Sequence, residues 1–241
     1  ARYEAARIFL LKGKHGEAFL RLRALADLEY KGDNEVRAYA IFAFAALLGD
    51  KGNTAEALRQ YERLLVKGTA QELAEGAHYK KGVLLFAAGQ FVEAEKIFLL
   101  IIKQYPKGIY REYAINQGAR CLMRKSRFLE ARDLLTQNAQ TSGAVALEKT
   151  YLFAHVSWKL KQYADAVKHF NLCITSRDEE YKLDAWYDKL SCLYEWGEMA
   201  KLLKLIPSAE KLFAKSANLA DIYFLAGGAA EHEKDIDGAV N

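Results

Sequence analysis

The chain has 241 residues, 51% of them hydrophobic and 27% charged, so it is long enough to bury a sizeable core as one or two domains. Its two prolines and its many Ala, Leu, Lys and Glu residues favour long helices over a β-sandwich and predict an all-α protein. The formal net charge of +4 is mild and evenly spread, which argues against nucleic acid as a partner, because that would require a basic face or stripe.

Neither a membrane span nor a disulfide framework is indicated. The longest apolar stretch, residues 38–48, is well short of the roughly 20 residues that cross a bilayer. Three cysteines, Cys121, Cys173 and Cys192, lie on apolar helix faces and are expected to be small buried side chains. The chain opens on Ala1, and residues 236–241 resemble the start of another helix, so we expect a piece of a longer protein.

A short pattern recurs along the chain: a turn residue, then an aromatic or polar pair, then Glu or Asp followed by Ala, then an apolar residue four positions further on. It occurs at residues 13–18, 52–57, 89–94, 126–131 and 161–166, and residues 234–239 begin another copy. The recurring alanines are Ala18, Ala57, Ala94, Ala131 and Ala166, at steps of 39, 37, 37 and 35 residues. Such a period predicts stacked two-helix units that meet closely at these alanines.

The third unit resembles the tetratricopeptide repeat most closely. Its matching residues are Gly82, Leu85, Gly89, Phe91, Ala94, Phe98 and Pro106. The resemblance implies an all-α, right-handed superhelical solenoid of stacked antiparallel helix pairs. We expect one such solenoid over residues 1–241, with six hairpins and the start of a seventh, at least ten helices, and no strand longer than a few residues.

Two features depart from the repeat. Ser126 and Lys161 occupy turn positions where other units have Gly. Pro207 falls within the second helix of the sixth unit, where proline removes a backbone hydrogen bond. We therefore expect a break near Ile206, a short extra helix over residues 208–215, and irregular structure at 198–216.

Residues 104–114, which include Tyr105 and Pro106, are similar to the longer-period repeats of bacterial envelope proteins. Those families include outer-membrane assembly lipoproteins and periplasmic partners of the Tol-Pal system. This resemblance favours a periplasmic or membrane-associated envelope location over the cytoplasm.

In the repeat family, the first helix of each hairpin lines a concave groove that holds a peptide or a partner's helix. The matching positions here form a mostly aromatic surface with a polar patch at residues 116–124. The candidate partner-binding residues are Tyr79, Phe86, Asn116, Gln117, Arg120, Arg124, Tyr151, His155, Trp158 and Tyr187. The patch favours a peptide mixing acidic and apolar residues. The alternative is that the aromatic residues pack helix against helix and the patch is an ordinary salt-bridged surface.

No catalytic, metal or cofactor site is expected. Five histidines are scattered over different repeats, without a helical His pair, a Cys-x-x-Cys motif or a glycine-rich phosphate loop. The sequence therefore predicts a non-catalytic protein-protein interaction module. A self-associating structural scaffold of a bacterial envelope assembly is the alternative.

Overall fold

The computed structural model describes residues 2–27, 33–66, 69–136 and 143–240, with side chains up to Lys234. This part of the chain forms thirteen α-helices and contains no strand. The helices are α1 (Arg2–Leu11), α2 (His15–Ala26), α3 (Asn34–Asp50), α4 (Thr54–Leu64), α5 (Gln71–Ala87), α6 (Phe91–Gln104), α7 (Arg111–Arg124), α8 (Phe128–Thr136), α9 (Gly143–Lys159), α10 (Tyr163–Ile174), α11 (Lys182–Trp196), α12 (Met199–Phe213) and α13 (Leu219–Val240).

The helices fall into two compact units, Ala1–Lys125 with α1 to α7 and Ser126–Asn241 with α8 to α13. Within each unit, helices joined by a short turn pack on each other, as α3 does on α4 and α9 on α10. The first helices of successive hairpins also touch, as α5 touches both α3 and α7. Each unit is therefore a stack of helical hairpins, as the repeat pattern predicts.

Close helix crossings hold each hairpin together. The five alanines expected there, Ala18, Ala57, Ala94, Ala131 and Ala166, are all fully buried. In the third hairpin, a Cβ atom built on Gly82 would lie only 2.7 Å from the Phe98 ring. The prediction that small residues mark helix contacts is confirmed in the third hairpin. The turn expected at residues 234–239 is not formed, because α13 continues through them to Val240; the side chain of Ala239 lies outside the described ones.

Five hairpin turns share one hydrogen-bond pattern. In the third hairpin, the Gly89 N–H donates to the Phe86 carbonyl (3.0 Å) and the Gln90 N–H donates to the Leu85 carbonyl (2.9 Å). These two bonds cap the last carbonyls of the helix and require a residue with positive φ after its end. Each turn has one such residue; in chain order they are Gly13, Gly52, Gly89, Lys161 and Gly197.

Lys161 and Ser126 are the non-glycine residues with positive φ in the described part of the chain, at 59° and 58°. A side chain in this left-handed region crowds the backbone, whereas glycine adopts it without that clash. The hairpin geometry is therefore strong enough to impose a conformation that these two residues disfavour.

Pro207 does not interrupt the helix in which it lies. Helix α12 runs continuously over Met199–Phe213 with Pro207 inside it, so the expected break near Ile206 and separate helix over 208–215 are wrong. Leu202, Ala209 and Phe213 are buried on both sides of the exposed proline. Their burial offsets the roughly 3 kcal/mol that a proline costs inside a helix.

A buried carboxylate connects the third hairpin to α7. Glu75 on α5 is 2% exposed, and its carboxylate accepts hydrogen bonds from the backbone N–H groups of Tyr110 (2.8 Å) and Ile109 (3.2 Å), just before α7 begins. A carboxylate at this position satisfies N–H groups that have no partner within the helix and favours the helix dipole. Gly108 lies against the same carboxylate.

The three cysteines are buried, as expected, and free of disulfides. Burial raises the pKa of the Cys121 and Cys192 thiols to about 12 and that of Cys173 to about 11. All three are therefore protonated at neutral pH and behave as small apolar side chains.

Gly108→Ala should destabilise the protein by about 1–3 kcal/mol, because the new Cβ would lie 2.0 Å from Oε1 of Glu75 and force the carboxylate off both N–H groups. Urea unfolding measures this loss. Gly16→Ala, at a helical glycine with open space around it, is the matched control and should not destabilise. In a Glu75→Ala background, Gly108→Ala should cost little, and an undiminished cost there would contradict the explanation.

Lys161→Gly should stabilise the protein by about 0.5–1 kcal/mol, because relief of the left-handed strain exceeds the entropy cost of glycine. Lys161→Ala, which removes the same charge but keeps the strain, is the control. Thermal melting of both variants checks the prediction. Equal melting temperatures for the two would show that strain at this turn is negligible.

Candidate partner-binding surface

The predicted aromatic residues of the first unit connect its helices. The Tyr79 ring on α5 stacks on Tyr110 with centroids 4.8 Å apart, and it meets Tyr113 of α7 edge-on at 6.0 Å. Phe86 meets Phe91, the first residue of α6, edge-on at 5.2 Å. Because Tyr79 and Phe86 are only half-buried, each packs against a neighbouring helix and still exposes part of its surface.

Helix α7 presents a different polar face from the one expected. Asn116 is 1% exposed, so its prediction as a partner-contacting residue is corrected: its side chain lies in the interior. Tyr113, which is 42% exposed, lies on the outer face instead. We define the α7 stripe as Tyr113, Gln117, Arg120 and Arg124, which are partly or fully exposed and spaced four, three and four residues apart, as one helix face requires.

The cationic end of the α7 stripe is anchored on an aromatic ring. The guanidinium carbon of Arg124 lies 5.2 Å from the centroid of the Phe91 ring, within reach of a cation–π contact. Nearby, Lys125 is already paired with Glu95 on α6 at 2.8 Å. The guanidinium groups of the stripe itself are those of Arg120 and Arg124.

In the second unit, two predicted residues share one carboxylate. The Tyr151 hydroxyl donates to Oδ2 of Asp188 at 2.6 Å, and Nε2 of His155 lies 2.8 Å from the same oxygen. The Tyr151 ring also packs against His155 at 4.7 Å and against Tyr181 at 4.8 Å. Asp188 on α11 thus fixes the orientation of two side chains on α9.

The other two predicted residues of this unit are also held by its interior. Trp158 is 8% exposed, and its Nε1–H donates to Oε2 of Glu195 at 2.8 Å. The expectation that Trp158 is an exposed aromatic anchor is therefore wrong, and Trp158 packs in the interior. Tyr187 is half-buried against the core that contains Leu190.

Sequence reasoning missed Tyr113, Asp188 and Glu195. A signal for the two carboxylates exists, because each lies 37 residues after the aromatic residue that it bonds, Tyr151 or Trp158. This separation equals one repeat, so the pairs join equivalent helices of successive hairpins. Tyr113 could be found by extending the spacing of Gln117 and Arg120 back by one turn.

The described side chains include no group of three or more His, Cys, Asp or Glu residues that could hold a metal ion. Within the same part of the chain, no helix is long and apolar enough to cross a membrane.

No protein-family model and no curated protein matches this chain. Several solved structures are similar to it, however. A tetratricopeptide repeat protein from Parabacteroides merdae has a TM-score of 0.70 at 18% identity, covering 97% of this chain and 87% of its own. The apo form of RapI has a TM-score of 0.65 at 14% identity, with 97% and 75% covered. A putative kinesin light chain from Podosopora anserina has a TM-score of 0.58 at 19% identity, with 71% and 91% covered.

These similarities, together with the helical hairpins and their turns, show that the chain has the all-α tetratricopeptide-like fold. Identities this low establish the fold alone. What the chain binds must be argued from its own side chains.

Proposed function

We propose that the chain is a non-catalytic protein-binding module that holds an extended segment or a helix of a partner along the first helices of its hairpins. The observation that carries this proposal is the α7 stripe, where an exposed aromatic ring, an amide and two guanidinium groups follow one face of a single helix. Aromatic rings and arginines are the side chains that contribute most to protein interfaces.

The chemistry of the α7 stripe favours a partner with acidic and apolar residues. Arg120 and Arg124 lie one helical turn apart, and each presents a planar fork that matches a carboxylate. Tyr113, together with the exposed parts of Tyr79 and Phe86, supplies apolar contact area close to these charges. Since Arg124 already lies over Phe91, part of its ordering cost is met before a partner binds.

The second unit offers a partner a different chemistry. Asp188 and Glu195 accept hydrogen bonds from Tyr151 and Trp158, so the aromatic residues there are held by carboxylates, and Glu195 is itself exposed. The exposed parts of Tyr151, His155 and Tyr187 therefore lie beside negative charge. A partner segment bound there would place apolar or basic residues against this surface.

Reversing the charge of the α7 stripe in the double variant Arg120→Glu, Arg124→Glu should weaken partner capture tenfold or more, about 1.4 kcal/mol, because carboxylates would then face carboxylates. Capture from a lysate of the source organism, followed by mass spectrometry and a titration of the recovered partner, measures this loss. Circular dichroism should show unchanged helicity.

The matched control is Lys96→Glu, Lys103→Glu, which makes the same change in charge at exposed positions on α6. This control should retain the same partner. Undiminished capture by the folded Arg120→Glu, Arg124→Glu variant would remove the α7 stripe from the binding surface.

Self-association as a scaffold is a second candidate, and α13 supports it. Phe224 is 78% exposed there, with Tyr223 beside it also exposed. Gly227 has the helix position that Gly82 has in the third hairpin. A Cβ on Gly82 would collide with Phe98, whereas among the described residues nothing lies within 4 Å of the same point on Gly227. This face of α13 therefore has room for a helix of a second copy.

If α13 mediates self-association, sedimentation velocity of the parent should show an apparent mass that rises with protein concentration, and Phe224→Ser should abolish that rise. Leu172→Ser, at an exposed apolar residue of α10, is the control and should leave it unchanged. A parent that remains monomeric across the concentration range would eliminate the scaffold candidate.

A further inference from the structure

The first unit contains an open cavity of about 660 Å³ where the start of α3 meets the end of α4 and the start of α5. Two arginines and several apolar side chains line it, among them Arg37, Ile41, Arg63, Leu64 and Leu73. A volume of this size is typical of ligand-binding sites, and a mostly apolar lining with a few polar groups is their usual composition. None of these residues belongs to the α7 stripe.

Arg63 is held in place by the fold. Its guanidinium donates to the backbone carbonyl of Ala26 (2.8 Å) and to the side-chain oxygen of Gln60. Burial lowers the pKa of Arg63, and the positive charge of Arg37 lowers it further, against smaller opposing effects of Asp27 and Glu56. Arg37 and Arg63 thus place two positive charges at the edge of one cavity.

Arg37 forms no ion pair with another described residue. Its side chain is half-buried, and its Nε atom is inaccessible to solvent and has no hydrogen-bond partner among the described residues. Glu35 also borders the cavity, but it is exposed and forms no ion pair with Arg37 there. A guanidinium nitrogen that is shielded from water without a hydrogen-bond partner destabilises the fold. The charge is more readily explained by a ligand than by packing.

We propose that this cavity binds a carboxylate flanked by apolar side chains, with Arg37 and Arg63 as its cationic ligands and Ile41, Leu64 and Leu73 as its apolar wall. The outer nitrogens of the two guanidinium groups contact the carboxylate, because the Nε atom of Arg37 is shielded. An acidic peptide side chain and a peptide C-terminus both present this chemistry. The site is distinct from the α7 stripe, so it does not depend on the function proposed for that stripe.

Titrations with short peptides test this site and identify the source of the carboxylate. The probes are acetyl-Ile-Glu-Leu-amide, with a side-chain carboxylate, and acetyl-Ile-Gln-Leu with a free C-terminus. Acetyl-Ile-Gln-Leu-amide is the uncharged control, and inorganic phosphate tests for a general anion site. The readout is the change in the arginine Nε–Hε signals of the ¹⁵N-labelled protein. We expect saturable shifts of the Arg37 and Arg63 signals with one or both carboxylate peptides, and none with the uncharged peptide.

Arg37→Met should weaken binding of the carboxylate peptides tenfold or more, whereas Arg59→Met should leave it unchanged, because Arg59 is exposed and already paired with Glu56. Without ligand, Arg37→Met should melt at the same temperature as the parent or higher, since an uncompensated charge has been removed. Arg37→Lys, which retains the charge but loses the fork, should bind with intermediate affinity and serves as the second variant.

Several results would overturn this assignment. They are no saturable binding of either carboxylate peptide at millimolar concentration, equal binding of the uncharged peptide, stronger binding of phosphate than of both peptides, or unchanged affinity in both Arg37 variants. A lower melting temperature of ligand-free Arg37→Met would also overturn it, because Arg37 would then be satisfied within the fold. None of these outcomes depends on the α7 stripe, so this site and the proposed function can fail separately.

Discussion

The close approach of the two helices in each hairpin is the constraint on which the structure depends. In the third hairpin, the Phe98 ring lies so near Gly82 that no Cβ atom would fit between them. Dense packing of this kind tolerates little change in volume, so it fixes how the helices cross. Ala45 and Tyr61 occupy the corresponding positions of the second hairpin, and both are buried in one cluster. Corresponding members of the two pairs lie 37 residues apart, which is the step between the recurring Ala57 and Ala94.

Contacts between hairpins then determine which side chains reach the surface. Glu75 fixes the start of α7 through backbone N–H groups, and Tyr79 stacks on Tyr110 at the same junction. In the second unit, Tyr151 packs against Tyr181 immediately before α11, with the two rings tilted by 32°. These contacts determine the rotation of the following first helix. The exposed face of α7 therefore depends on side chains of α5 and cannot be derived from the sequence of α7 alone.

The sequence predicts what depends on local geometry and mispredicts what depends on neighbouring helices. Turn positions and close-contact alanines follow from φ and side-chain volume, so the hairpins were predictable. Pro207 was judged from local propensity, but burial of Leu202 and Phe213 on either side of it keeps α12 intact. The groove positions of the repeat family place Asn116 on the surface, but this match does not show which of several adjacent positions on α7 is buried. Asp188 bonds Tyr151 from a helix one repeat away, which a motif within one helix does not reveal.

The arginines of the first unit are expected to act in two different ways, because their burial differs. Arg124 is exposed and lies over a ring, so its attraction to a partner is screened by salt and acts mainly on the rate of association. Arg37 is half-buried in the cavity that Arg63 also lines, where screening is weaker and a bound carboxylate would be held by partly buried charges. Salt should therefore weaken binding at the α7 stripe more strongly than binding in the cavity. A partner that engages both surfaces would combine salt-sensitive capture with slower, less salt-sensitive release.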